Sequence, residues 1–128
     1  HRGGNPLYGA ARNAAQGASK SYDVYLNLTK LLIEKGADPN VKLKSGSMIE
    51  DNDPHRAKAG ETALHAVARS FSQKHASEVC ELLLANGAKV NEPNAKGQTP
   101  LDEALANERK QTAETLRQHG GKSATNQN

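Results

Sequence analysis

One short pattern occurs three times in this chain, and a fold that ignored the recurrence would have to explain it away. Asn5-Pro6-Leu7-Tyr8-Gly9-Ala10, Thr62-Ala63-Leu64-His65-Ala66-Val67 and Thr99-Pro100-Leu101-Asp102-Glu103-Ala104 align, each two residues after a glycine: Gly3, Gly60 and Gly97. Each is followed by a second run that ends in glycine. These runs are Leu31-Leu32-Ile33-Glu34-Lys35-Gly36, Leu82-Leu83-Leu84-Ala85-Asn86-Gly87 and Leu116-Arg117-Gln118-His119-Gly120. From Gly87 to Leu101 is 14 residues and from Leu101 to Gly120 is 19, a period of 33.

The residue types make each copy a pair of helices. Thr62 and Thr99 stand where a hydroxyl caps the first free backbone N–H groups, and Asn5 can do the same in the first unit. Pro6 and Pro100 fall in a first helical turn, where the missing N–H costs nothing. Gly36, Gly87 and Gly120 follow leucine-rich runs and suit the left-handed residue that stops a helix. In the second helices, helical spacing groups Val24, Leu28 and Leu31/Leu32, and likewise Val79, Leu82 and Leu83, into apolar stripes expected to face the core. The first helices carry Ala10 and Ala11, Ala66 and Ala68, Ala104 and Ala106, small enough for neighbouring helices to pack closely.

Composition agrees with a thin, stacked core. Only 3% of residues are aromatic and 35% hydrophobic, too little large apolar volume for a wide globular interior. No unit buries its face alone, so stacking must supply the core.

The period and the Thr-Ala-Leu-His and Thr-Pro-Leu-Asp segments resemble the ankyrin repeat. The resemblance runs from Gly3 to Gly120 and implies an all-α ankyrin-repeat solenoid of three helix-pair units with hairpin-like connections. The units are expected near 3–40, 58–91 and 95–120, with residues 121–128 as a flexible tail. Departures from 33 locate insertions. Leu7 to Gly36 is 29 residues, 10 more than standard; Leu64 to Gly87 is 23, 4 more; Gly36 to Leu64 is 28, 14 more. The first two lengthen helices at the end away from the hairpins, with Phe71 positioned to pack there. The third places a long insertion at 41–59, between units one and two. The last helix, from Glu108 to Arg117, is polar on most faces and reads as a solvent-facing cap.

The resemblance also implies function: a protein-interaction module, not an enzyme, using hairpin tips and the first-helix concave face. Carried onto this sequence, the contact positions are Arg12, Asn13, Lys58, Glu61, Arg69, Ser70, Lys96, Gln98 and Asn107. Leu43, Met48 and Ile49 join them from the insertion, because a purely solvating loop does not need apolar residues. His65 holds the histidine of the signature, for which the resemblance implies a structural bond to Thr62.

Other chemistries find little support. Asp51, Asp53 and His55 alternate as calcium-loop ligands do, but Arg56 and Thr62 stand where that loop needs glycine and glutamate. A metal- or small-ligand-binding loop at 50–55 is therefore the alternative reading, and no cofactor is expected. Nucleic-acid binding is the second alternative; Arg109, Lys110, Arg117 and Lys122 are interleaved with Glu108 and Glu114, which suits a solvated helix better than a basic footprint. The net charge of +3 favours acidic partners only weakly, because the positive side chains are scattered. Cys80, the single cysteine, sits in an apolar run and reads as a small buried hydrophobe. It suits a reducing, cytoplasmic setting, although an export signal removed before His1 would leave the same sequence. A second apolar set on the N-terminal helix pair, Tyr22, Tyr25, Leu26 and Ile33, is expected to lie on an outer face open to an upstream repeat or to self-association.

Overall fold

A computed structural model describes residues 6–16, 19–43, 60–70 and 72–124. Six helices follow one another: α1 (Pro6–Gln16), α2 (Ser19–Glu34), α3 (Ala63–Ala68), α4 (Gln73–Ala85), α5 (Pro100–Ala106) and α6 (Lys110–Gln118). No strand occurs among the described residues. Consecutive helices pair, and the pairs stack. α1, α3 and α5 make one row, and α4 packs between α6 and the α1–α2 pair in the other.

The core is the seam between the rows. Leu7, Leu64 and Leu101 occupy the same place in successive units, and all three are buried. Leu83, Leu116, Val79, Cys80 and a series of alanines complete it. The alanines permit the close approach of α1, α3 and α5. Burial pushes the Cys80 thiol well above its usual range, so it stays protonated and packs as a hydrophobe.

Extra residues lengthen the helices as expected. α1 and α2 run to 11 and 16 residues against 7 and 9 for α5 and α6. Gly36, Gly87 and Gly120 have φ of 95°, 97° and 88°, the left-handed stop that glycine accepts without strain. Gly60 is required for space as well: a Cβ there would lie 2.8 Å from the backbone N of Ala95, in the next connection.

The two apolar sets of α2 exchange roles relative to the sequence expectation. Tyr22, Tyr25, Leu26, Leu32 and Ile33 are half-buried against the core. Val24, Leu28 and Leu31, expected to face inward, are exposed. Both sets have helical spacing, so periodicity could not choose between them. The packing of α1 and α4 decides: Tyr22 stacks on His75 with ring centroids 3.8 Å apart and bonds to Glu78, both in α4.

Polar staples bind unit to unit at the connections. Asn40 Nδ2 donates to Gly87 O at 2.9 Å, while its Oδ1 accepts from Lys89 N–H at 2.7 Å. Asn91 repeats this one unit later, donating to Gly120 O at 3.0 Å and accepting from Lys122 N–H at 2.7 Å. The second staple holds residues expected to be flexible. Gly121–Ala124 lie over the start of α5, with Ser123 Oγ and Ala124 N–H both donating to Asp102.

Leu64 is 1% exposed in a seam shared by three units. We expect Leu64→Ala to lower stability by about 2–5 kcal/mol, measured by urea unfolding. A loss below about 1 kcal/mol would contradict the packing register.

Candidate functional site

The residues expected to contact a partner divide sharply. Arg12 and Lys96 are exposed, and Asn13 and Gln98 are half-buried. Met48, Ile49 and Lys58 lie outside the described residues, as do Phe71 and the Asp51, Asp53 and His55 candidates for a metal. Among the described residues no group of three or more His, Cys, Asp or Glu is placed to hold a metal ion. Leu43 is half-buried and packs against the core. Its backbone is paired across the base of the insertion, with Leu43 N–H on Glu61 O and Gly60 N–H on Leu43 O, each at 2.7 Å. The two ends of the insertion are therefore fixed side by side.

Glu61, Arg69, Ser70 and Asn107, expected on the surface, are buried instead. For Glu61 and Arg69 the reason is electrostatic. Arg69 Nη1 and Nη2 grip the Glu61 carboxylate in a fork, each at 2.8 Å, and Nη1 reaches Glu103 of the next unit at 3.1 Å. Tyr8, from the unit before, donates its hydroxyl to Glu61. One cluster thus joins all three units. Burial alone would make the Arg69 guanidinium easier to deprotonate, but its bonds to Glu61 and the charges of Glu61 and Glu103 outweigh that and hold it protonated. Burial and the adjacent Glu61 carboxylate push the Tyr8 phenol up, so it remains a donor. Asn107 Nδ2 turns back to Glu103 O at 2.8 Å, and Ser70 Oγ to Ala66 O at 3.3 Å.

Arg12 aligns with Arg69, yet it is exposed. The carboxylate that Arg69 finds in α5 is Glu103; the aligned residue in α3, which Arg12 would meet, is Ala66. The difference was written in the sequence, but only as a relation between units.

His65 links units two and three. Its Nδ1 accepts from Thr62 N–H at 3.1 Å, so the ring proton sits on Nε2, which donates to Gln98 O at 2.8 Å. The Thr62 hydroxyl lies 3.0 Å from Nδ1. Asp102 takes the same position in unit three and accepts from Thr99 N–H at 2.9 Å. Both side chains serve the scaffold. Burial lowers the His65 pKa, while the Gln98 bond and the Glu61 charge partly offset it. Burial would raise that of Asp102, but hydrogen bonds from Ser123, Thr99 and Ala124 hold it below the usual carboxylate range.

What remains open on the first-helix face is mixed in character. Arg12 is exposed on α1, and Leu105 and Ala106 on α5, with Leu105 42% accessible. The aligned residues of α3, Ala68 and Arg69, are buried. At the tips, Lys42 bridges to Glu92 at 2.7 Å and lowers the Glu92 pKa through that contact. Leu105 was missed from sequence. Its signal was a large apolar residue where the second unit has alanine.

The family description "Ankyrin repeats (3 copies)" matches residues 18–128. Among solved structures, an ankyrin repeat domain from Acinetobacter baumannii superimposes with a TM-score of 0.65 at 22% identity, over 94% of this chain and 50% of that one. This chain therefore spans half the length of that structure. No curated protein matches it.

Two outcomes are expected from this geometry. The folded protein binds His65 neutral, whereas the unfolded chain takes a proton there below about pH 6.5. Stability must therefore fall as pH drops from 7 toward 5, and His65→Gln should flatten that part of a Tm-against-pH curve. Separately, Arg69→Met removes the guanidinium from two buried carboxylates, with an expected loss of about 3–5 kcal/mol in chemical denaturation. Adding Glu61→Gln and Glu103→Gln to the same chain should restore most of it.

Proposed function

The chain belongs to the ankyrin-repeat family, and on that premise we propose that it binds another protein through its first-helix face and hairpin tips. Ankyrin repeats are in general protein-interaction modules. The binding face runs from Arg12 and Asn13 on α1 to Leu105 and Ala106 on α5, with Lys96 and Gln98 at the tips. Leu43, Met48, Ile49 and Lys58 extend it through the insertion at 41–59.

The observation that carries this reading is Leu105. A leucine 42% exposed on a helix of otherwise buried or small residues contributes little to folding. The aligned Ala11 and Ala68 are fully buried in units that another unit follows, whereas no described unit covers Leu105. Apolar anchors within a polar rim are how protein interfaces concentrate their affinity. Lys96 and Glu108, exposed in the same unit, supply such a rim with both charge signs.

The test begins with a partner captured using this chain as bait, followed by calorimetry with purified components. Leu105→Glu should weaken binding at least about tenfold, or 1.4 kcal/mol, with Tm unchanged. Lys110→Glu, on the outer side of α6, should leave affinity as it was. Equal affinity for wild type and Leu105→Glu would overturn the assignment of this face.

A further inference from the structure

Glycine follows asparagine at one place in this chain, Asn86-Gly87. The equivalent stops of α2 and α6 are Lys35-Gly36 and His119-Gly120, so the pair belongs to the middle unit alone. It closes α4, and both residues are exposed. A Cβ on Gly87 would meet nothing within 4 Å, so water and hydroxide reach this peptide group. With no Cβ on the second residue, its backbone nitrogen can approach the asparagine amide without hindrance.

Hydrogen bonds hold the two reacting groups apart in the folded chain. Asn86 Nδ2 donates to Leu82 O at 2.8 Å, which turns the amide back along α4. The Gly87 N–H donates to Leu84 O at 3.3 Å. The residues that follow are held as well. Ala88 N–H donates to Leu83 O at 3.0 Å. Gly87 O accepts from Asn40 Nδ2 at 2.9 Å, and Lys89 N–H donates to Asn40 Oδ1 at 2.7 Å. Burial gives Asn86 no protection, so its restraint comes from these bonds.

We propose that Asn86 is a site of spontaneous deamidation, and that Asn40, reaching across from unit one, sets its rate. When the end of α4 opens, Gly87 N gives its proton to hydroxide and attacks Asn86 Cγ. A C–N bond forms, the Cγ–Nδ2 bond breaks, and Nδ2 leaves as ammonia with a proton from water. Water then opens the succinimide at either carbonyl, giving aspartate or isoaspartate. One water enters and one ammonia leaves, with no change of oxidation state. Opening at the end of a helix is local and costs less than global unfolding. Asn40 opposes it by fixing the chain on both sides of Ala88. Either product removes part of that restraint. A carboxylate at this position cannot donate to Leu82 O, and it puts negative charge at the negative end of α4. Isoaspartate adds a backbone carbon before Gly87 and shifts Gly87 O away from Asn40. Loss of ammonia makes the change permanent, and it loosens the joint between units one and two.

The test incubates the full chain at mildly alkaline pH and follows the peptide containing Asn86 by mass spectrometry, with isoaspartate detected by enzymatic methyl transfer. Wild type should convert slowly when folded and faster in denaturant. Asn40→Ala removes two hydrogen bonds and should convert at least about fivefold faster than wild type while still folded by circular dichroism. Asn91→Ala breaks the equivalent joint between units two and three and should stay near the wild-type rate. Asn86→Gln should show no conversion at this peptide, and its Tm should not fall with age as that of wild type does. A second measurement needs no variant. Urea well below the unfolding midpoint should barely change the wild-type rate, because local opening exposes little surface. Equal rates for wild type and Asn40→Ala, or equal acceleration by Asn91→Ala, would overturn the role of Asn40. A rate that tracks the unfolded fraction in urea would overturn the local opening. Absence of both products at Asn86 in folded wild type and in Asn40→Ala would overturn the site itself.

Discussion

A helix pair with one small apolar stripe and a row of alanines cannot close a core, and its stability must come from the next pair. That requirement governs what is buried here. Leu7, Leu64 and Leu101 lie along one shared seam. Alanines along α1, α3 and α5 set the closeness of the stack, since larger side chains there would hold the rows apart. The first and last pairs differ on the side that no other described unit covers. The C-terminal pair carries charge there, on α6, and Gly121–Ala124 are drawn over α5 by Asn91 and Asp102. The N-terminal pair leaves Val24, Leu28 and Leu31 open.

Apolar packing between units has little direction, so polar contacts specify the register. Asn40 and Asn91 satisfy backbone groups of the following connection with both ends of one amide, a geometry that a shift of one residue would break. His65 performs the same task from the first helix of unit two. Its Nδ1 accepts from Thr62 N–H only in the neutral ring, which burial favours, while Nε2 donates to Gln98 O. Asp102 replaces it in unit three, where the groups to be satisfied are a hydroxyl and backbone N–H groups, all donors. The exchange of an imidazole for a carboxylate follows from the polarity of what each must meet.

The Glu61–Arg69–Glu103 cluster changes the reading of the binding face. Charged residues at such positions are ordinarily counted as surface, and a buried ion pair of this kind returns little net stability because desolvation opposes it. Its consequence here is geometric. It draws the middle unit's arginine inward, with Tyr8 closing the cluster from unit one, and leaves the outer units to supply the accessible side chains. The side chains left accessible on the first helices are therefore Arg12 at one end and Leu105 at the other, rather than an even row along three helices.

Much of this architecture was legible in the residues alone. The repeat, the helix pairs, the left-handed glycines and the lengthened α1, α2 and α4 all follow from local chemistry repeated at a period, and local chemistry is what a sequence states directly. The equivalence of Leu7, Leu64 and Leu101 was legible for the same reason. Tertiary structure alone decided which stripe of α2 faces inward, since two stripes with the same spacing are indistinguishable until α1 and α4 are in place. It also decided that Glu61, Arg69, Ser70 and Asn107 are interior, because their burial depends on partners in other units or on folding back along their own helix. Periodicity within one chain segment determines the element; the fate of a polar side chain depends on what the neighbouring unit brings to meet it.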